Sequence, residues 1–102
     1  MSDTGLEQFD GVDLGTLLDR IESGAMASSV LTFAAEKLGS YPIDSRIEVA
    51  IRVLARHHDP VVREGVVLAM IAAEPRFDAD LRLIAATDKS AGVRMVAAGC
   101  AP

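Results

Sequence analysis

Two adjacent histidines and an acid, His57, His58 and Asp59, are the residues of this sequence whose types most readily suggest a metal site. Imidazole nitrogens and carboxylate oxygens are common zinc ligands, and they must converge on one ion. Neighbouring side chains on a helix diverge by about 100°. We therefore expect both histidines to complete the last turn of a helix, where the helix dipole favours imidazolium at low pH, and we predict no metal site.

Catalytic motifs are missing from the sequence. There is no G-x-S-x-G elbow, phosphate loop, H-E-x-x-H pair or nucleotide-binding glycine fingerprint. The two nearby acids Asp78 and Asp80 would point to different sides of a helix start. We predict a protein that is not an enzyme and that needs no cofactor.

The composition is that of a small, acidic, helical protein. Half of the 102 residues are apolar, enough for one core, and aromatic residues are few, which favours helices over strands. Ten basic and fifteen acidic residues give a net charge of −5. Because proteins that bind nucleic acids usually carry an excess of Lys and Arg, we disfavour DNA and RNA as partners.

Cys100 is the only cysteine, which excludes an intrachain disulfide. The N-terminal residues are acidic where a signal peptide would be basic, and no apolar run reaches the roughly 18 residues of a membrane span. These features predict a soluble cytoplasmic protein without a membrane segment.

The apolar periodicity predicts an all-α fold of about six helices over residues 13–102, after a flexible acidic leader over 1–12 in which Phe9 can dock locally. Ser45 and Glu48 fit a capping box at the start of the third helix, and Asp59 and Pro60 fit the start of the fourth. The predicted helices are 14–23, 26–38, 45–58, 60–74, 77–87 and 90–100. The fourth is apolar on nearly every side after Glu64, so it must be covered on most sides.

An internal repeat is visible in the second half of the sequence. Residues 62–69 align with residues 93–100 at an offset of 31, and a helix ending in an acid, Asp59 or Asp88, precedes each. Two helices in a period of about 30 residues are typical of a helical solenoid. An aliphatic helix, then Asp-Pro-Val-Val-Arg, then a helix of small apolar residues resembles the HEAT repeats, particularly the short bacterial type.

The resemblance implies stacked helical hairpins and a structural role for the turn residues. In HEAT repeats the Asp-Pro pair marks the turn between two helices, and the Arg of the second helix forms a ladder with turn acids of adjacent units. Asp59, Pro60 and Arg63 match this pattern, and Asp88 with Arg94 match it without the proline. In the first helix pair the Asp-Pro turn is replaced by Gly24 and Ala25.

The function implied is a non-enzymatic adaptor or regulatory module that binds a protein partner. HEAT-like domains also occur in bilin lyases, as auxiliary enzyme subunits and in some DNA glycosylases. A pigment or cofactor site would require an apolar groove with a committed acid or with a thiol, for which Cys100 is the only candidate. Binding of a nucleic acid would require a concave face on which the basic residues converge. Those basic residues are Arg46, Arg52, Arg56 and Arg63.

Two surfaces are candidates for the partner. One is the outer side of the third helix, with Arg52 and Arg56. The other is the sixth helix, with Met95 and Val96, because a terminal solenoid repeat normally presents a polar outer face and this one is apolar. We expect a second copy of the chain to cover it, and the leader or another partner are the alternatives.

Overall fold

A computed structural model describes residue 9, residues 11–73 and residues 77–99. This part of the chain is helical without a strand, which confirms the all-α class and the number of helices expected. The helices are α1 (Leu14–Glu22), α2 (Ser28–Lys37), α3 (Ser45–Leu54), α4 (Pro60–Ala72), α5 (Asp78–Thr87) and α6 (Ala91–Gly99). None of the described helices is long and apolar enough to cross a membrane.

Aspartates cap three of these helices. The Thr16 amide donates to Asp13 at the start of α1, and the Val61 amide donates to Asp59 at the start of α4, where Pro60 holds the first helical position as predicted. The capping box predicted with Ser45 is wrong by one residue: Asp44 is the N-cap of α3 and accepts from the Ile47 amide at 2.9 Å.

Helix ends shift by a few residues from the predicted bounds. Gly24 follows α1 at φ 71°, a left-handed conformation that glycine adopts without strain. The third helix ends at Leu54, so that His57 and His58 lie in the turn after it. Pro75, which we expected to end α4, and Cys100, which we expected to end α6, lie outside the described residues.

The core is centred on α4, as its apolar composition predicts. This helix contacts α2, α3, α5 and α6. Six of its residues are buried: Val62, Gly65, Val66, Val67, Ala69 and Met70. Because a helix that is apolar on most sides must be covered on most sides, the position of α4 follows from its sequence.

Glycines set the distance between α2 and α4. A Cβ at Gly65 would collide with the backbone oxygen of Thr32 on α2, and a Cβ at Gly39 would collide with the backbone of Ala69 on α4. The Thr32 hydroxyl also donates to the Val61 carbonyl oxygen at 2.8 Å. Ala72, the last residue of α4, is exposed.

The described part of the predicted leader is attached to the helices. Phe9 is buried in the core, Val12 packs against it, and the Tyr41 hydroxyl donates to the Val12 carbonyl oxygen at 2.8 Å. The other leader residues, 1–8 and 10, lie outside the described residues.

Candidate functional site

Arg63 joins the two turns that follow α3 and α5. Its Nε lies 3.0 Å from one carboxylate oxygen of Asp88 and its Nη2 lies 3.1 Å from the other, while its Nη1 donates to the backbone oxygens of His57 and His58 at 2.7 and 3.1 Å. The side chains of Arg63 and Asp88 are largely buried, with 11% and 8% of their surface exposed. Arg63 therefore holds the α3–α4 turn against the α5–α6 turn.

Asp88 is saturated with donors from its own turn as well. The Ser90 amide donates to its carboxylate at 2.9 Å, and the Arg94 side chain donates to its backbone oxygen at 2.6 Å. Burial opposes ionisation, but the hydrogen bonds from Arg63 and Ser90 and the charges of Arg63 and Arg94 outweigh it and lower the pKa of Asp88. The structure thus brings together Arg63, Asp88 and Arg94.

Asp59 has a local role at the start of α4. The pKa of Asp59 is lowered mainly by the hydrogen bond from the Val61 amide to its carboxylate, and to a smaller extent by the Ser28 hydroxyl. The Asp59 amide donates to Nδ1 of His57 at 3.0 Å, and the His57 ring stacks on His58 with 4.4 Å between centroids. Among the described residues, no three His, Cys, Asp or Glu side chains are grouped so that they could hold a metal ion.

The arginines of α3 differ in their partners. Arg46 bonds to Asp19 at 3.1 Å and to Glu22 at 3.3 Å, both on α1. Arg52 bonds to Asp80 on α5 at 2.7 Å, approaches Glu48 at 3.6 Å and lies over the Phe77 ring. Carboxylates thus accompany Arg46, Arg52 and Arg63. The side chain of Arg56, just after α3, has no ionic or hydrogen-bond partner in the part of the chain that the structure describes.

An apolar face of α3 was missed by the sequence analysis. Val49 and Val53, one turn apart, are 61% and 65% exposed. They line a groove of about 610 Å³ beside α1, which also includes Ile21 and Ala50; we call it the apolar groove. The spacing of the two valines, opposite the buried Ile47, Ile51 and Leu54, was the signal that could have revealed it.

Two further cavities lie on the other side of α3. The turn cavity, of about 680 Å³, lies between the two turns and is lined by Arg56, His57, His58, Arg63, Asp88 and Lys89, among others. The α3–α5 cleft, of about 300 Å³, adjoins it through Arg56 and Asp88 and is lined by Met70, Leu83 and Ile84. The predicted partner residues Arg52, on α3, and Arg56, just after it, both line the cleft.

The predicted apolar surface of α6 is smaller than expected. Met95 is 72% exposed, but Val96 packs against the core beside the buried Val93 and Ala97. Val96 is three residues after Val93 and so shares its inward face. Met95 is therefore the exposed member of the predicted pair.

No family model, curated protein or solved structure matches the chain.

Proposed function

We propose that the chain is a protein-binding module that acts without catalysis and that the apolar groove is its binding site. The observation that carries this proposal is the exposure of Val49 and Val53 beside Ile21 and Ala50. Single exposed apolar residues are common on protein surfaces, whereas apolar residues gathered in one depression are typical of interaction sites.

The occupant that best fits the apolar groove is an amphipathic helix of a partner protein. The groove lies beside α3, whose ten residues extend over about 15 Å, enough to contact about three turns of a partner helix. Such a helix would place apolar side chains at i, i+3 or i+4 against the two valines. Arg46 and Glu22, which bond to each other at the rim, offer both signs of charge to the polar side of the ligand.

We further propose that the helices form three hairpins, α1–α2, α3–α4 and α5–α6, and that these stack as a short HEAT-like solenoid. Two features support this arrangement: α4 lies in contact with both α2 and α6, and Arg63 in the second hairpin bonds to the turn acid Asp88 of the third. The Arg63–Asp88 bond is the kind of contact that the resemblance implies for the ladder of Asp59, Pro60, Arg63, Asp88 and Arg94, whereas Asp59 caps α4 and Arg94 bonds to the backbone oxygen of Asp88. A solenoid would serve as a scaffold that presents the groove.

Selection from a displayed library of amphipathic helical peptides tests the proposed function. We expect peptides with apolar residues at i, i+3 and i+4 to bind the wild-type chain. Val53→Glu should weaken their binding at least tenfold, because a buried carboxylate would lack a partner. Leu83→Glu, an equally exposed apolar residue outside the groove, is the matched control and should leave binding unchanged.

Circular dichroism would verify that both variants are folded. Peptides that bind the Val53→Glu chain as tightly as the wild-type chain would rule out the apolar groove as the site.

A further inference from the structure

The turn cavity is a second site, separate from the apolar groove. It lies between the turns that follow α3 and α5, and the residues that line it are not those that line the groove. An inference about it therefore stands independently of the proposed function.

The turn cavity collects positive charge in an acidic protein. Arg56, Arg63 and Lys89 line it together with one carboxylate, Asp88. Asp88 is engaged by Arg63 and by the Ser90 amide. Among the described residues, the side chains of Arg56 and Lys89 have no ionic or hydrogen-bond partner, so two cations remain available although the chain carries a net charge of −5.

Hydrogen bonds join the two turns at the floor of the cavity, and the floor offers one further donor. The hydrogen bonds of Arg63 to Asp88, His57 and His58 hold the two turns at a set distance. Because Nδ1 of His57 accepts from the Asp59 amide, the proton of its neutral ring is on Nε2, which makes the ring a hydrogen-bond donor. Donors that are already held in place reduce the entropic cost of ligand binding.

We propose that the turn cavity binds a phosphoryl group carried by a side chain of a protein segment. A phosphorylated side chain carries a charge of about −1.5 to −2 at neutral pH and three acceptor oxygens, which matches two free cations and an imidazole donor. A ligand with a single carboxylate would neutralise only one of the two cations, Arg56 and Lys89. A nucleic acid would place further phosphates near Asp80, which lines the adjoining cleft.

Titration with N-acetyl phosphoserine amide, followed by two-dimensional ¹⁵N NMR at constant ionic strength, tests this proposal. We expect saturable shifts of the backbone amides at residues 55–58 and 87–90, with a dissociation constant on the order of 1 mM. The double variant Arg56→Gln, Lys89→Gln should weaken binding by roughly tenfold per cation removed. Arg20→Gln, Arg82→Gln removes the same charge from exposed sites elsewhere and should leave binding unchanged.

Three results would overturn the proposal. One is an equal response to N-acetyl glutamate amide, and another is an equal loss of binding in the Arg20 and Arg82 control. The third is that inorganic phosphate or a single-stranded oligonucleotide binds in the turn cavity more tightly than phosphoserine does. That result would assign the cavity to a free anion or to a nucleic acid. Val53→Glu should leave the titration unchanged, so failure of the proposed function and failure of this inference are distinguishable.

Discussion

Replacing Arg63 by Met tests whether the contact between the two turns stabilises the fold. Met keeps an unbranched stem in the helix but removes the guanidinium, which donates to the Asp88 carboxylate and to the backbone oxygens of His57 and His58. Removing one member of a largely buried ion pair costs roughly 3–5 kcal/mol. Asp88 keeps its bond from Ser90, so we expect a loss near the lower end, about 3 kcal/mol.

Urea unfolding followed by circular dichroism would measure this loss. With an m-value of about 1.5 kcal/mol/M, a loss of about 3 kcal/mol lowers the unfolding midpoint by about 2 M. Arg52→Met is the matched control, because Arg52 also bonds to an acid of the following hairpin but is 51% exposed. Its effect should be clearly smaller, since exposed ion pairs contribute little.

A double-mutant cycle with Asp88→Asn separates the contribution of the pair from that of the single residues. We expect the double variant to lose less stability than the two single variants combined, since each already breaks the same contact. Additive losses, or an Arg63→Met midpoint no lower than that of Arg52→Met, would refute the assignment of Arg63 to a structural role.

Three further predictions concern packing, pH and association. Gly65→Ala should lower the free energy of unfolding by about 1–3 kcal/mol, because the added Cβ collides with the Thr32 backbone. Gly92→Ala, whose Cβ has room, should be neutral or stabilising, and thermal unfolding of both variants checks this. Because the folded state lowers the pKa of Asp88 from its ordinary 3.8, its contribution to stability is present above about pH 3.8 and is lost as the pH falls below it; urea midpoints of the wild-type and Asp88→Asn chains should converge under acidic conditions. The dimer predicted through α6 would centre on Met95, so light scattering should give twice the 10.8 kDa chain mass for the wild type and a single chain for Met95→Glu; a wild-type mass of 10.8 kDa would exclude this dimer.

The elements of the fold follow closely from the sequence. The apolar residues of α4 predict its central position, and Asp59 with Pro60 predicts its first turn. The N-cap of α3 was assigned to the wrong residue because Asp44 and Ser45 are adjacent and both residue types are good N-caps. Local preference cannot choose between them, and the geometry of the preceding connection decides.

The partners of the arginines are less predictable, because they depend on which helices lie side by side. Arg52 is 28 residues from Asp80 and Arg63 is 25 residues from Asp88 along the chain. The repeat and the resemblance assigned both Arg63 and Asp88 to a ladder between adjacent units, without pairing the two residues. No repeat indicated Asp80 as a partner of Arg52, and Arg52 was therefore interpreted as part of a partner surface.

The spacing between neighbouring helices also explains why the apolar groove was not predicted. Between α2 and α4 the contact is close: a Cβ at Gly65 would collide with Thr32 on α2, and a Cβ at Gly39, just after α2, would collide with Ala69 on α4. On the other side of the molecule, Arg46 links α3 to α1 and Arg52 links α3 to α5 through long, half-exposed side chains. Long polar links leave space between helices that small apolar residues would close, so Val49 and Val53 stay exposed beside α1 and a cleft opens beside α5. From the sequence alone, the two valines could equally be buried against a neighbouring helix. It is the spacing between α3 and α1 that leaves them exposed and able to contact a partner.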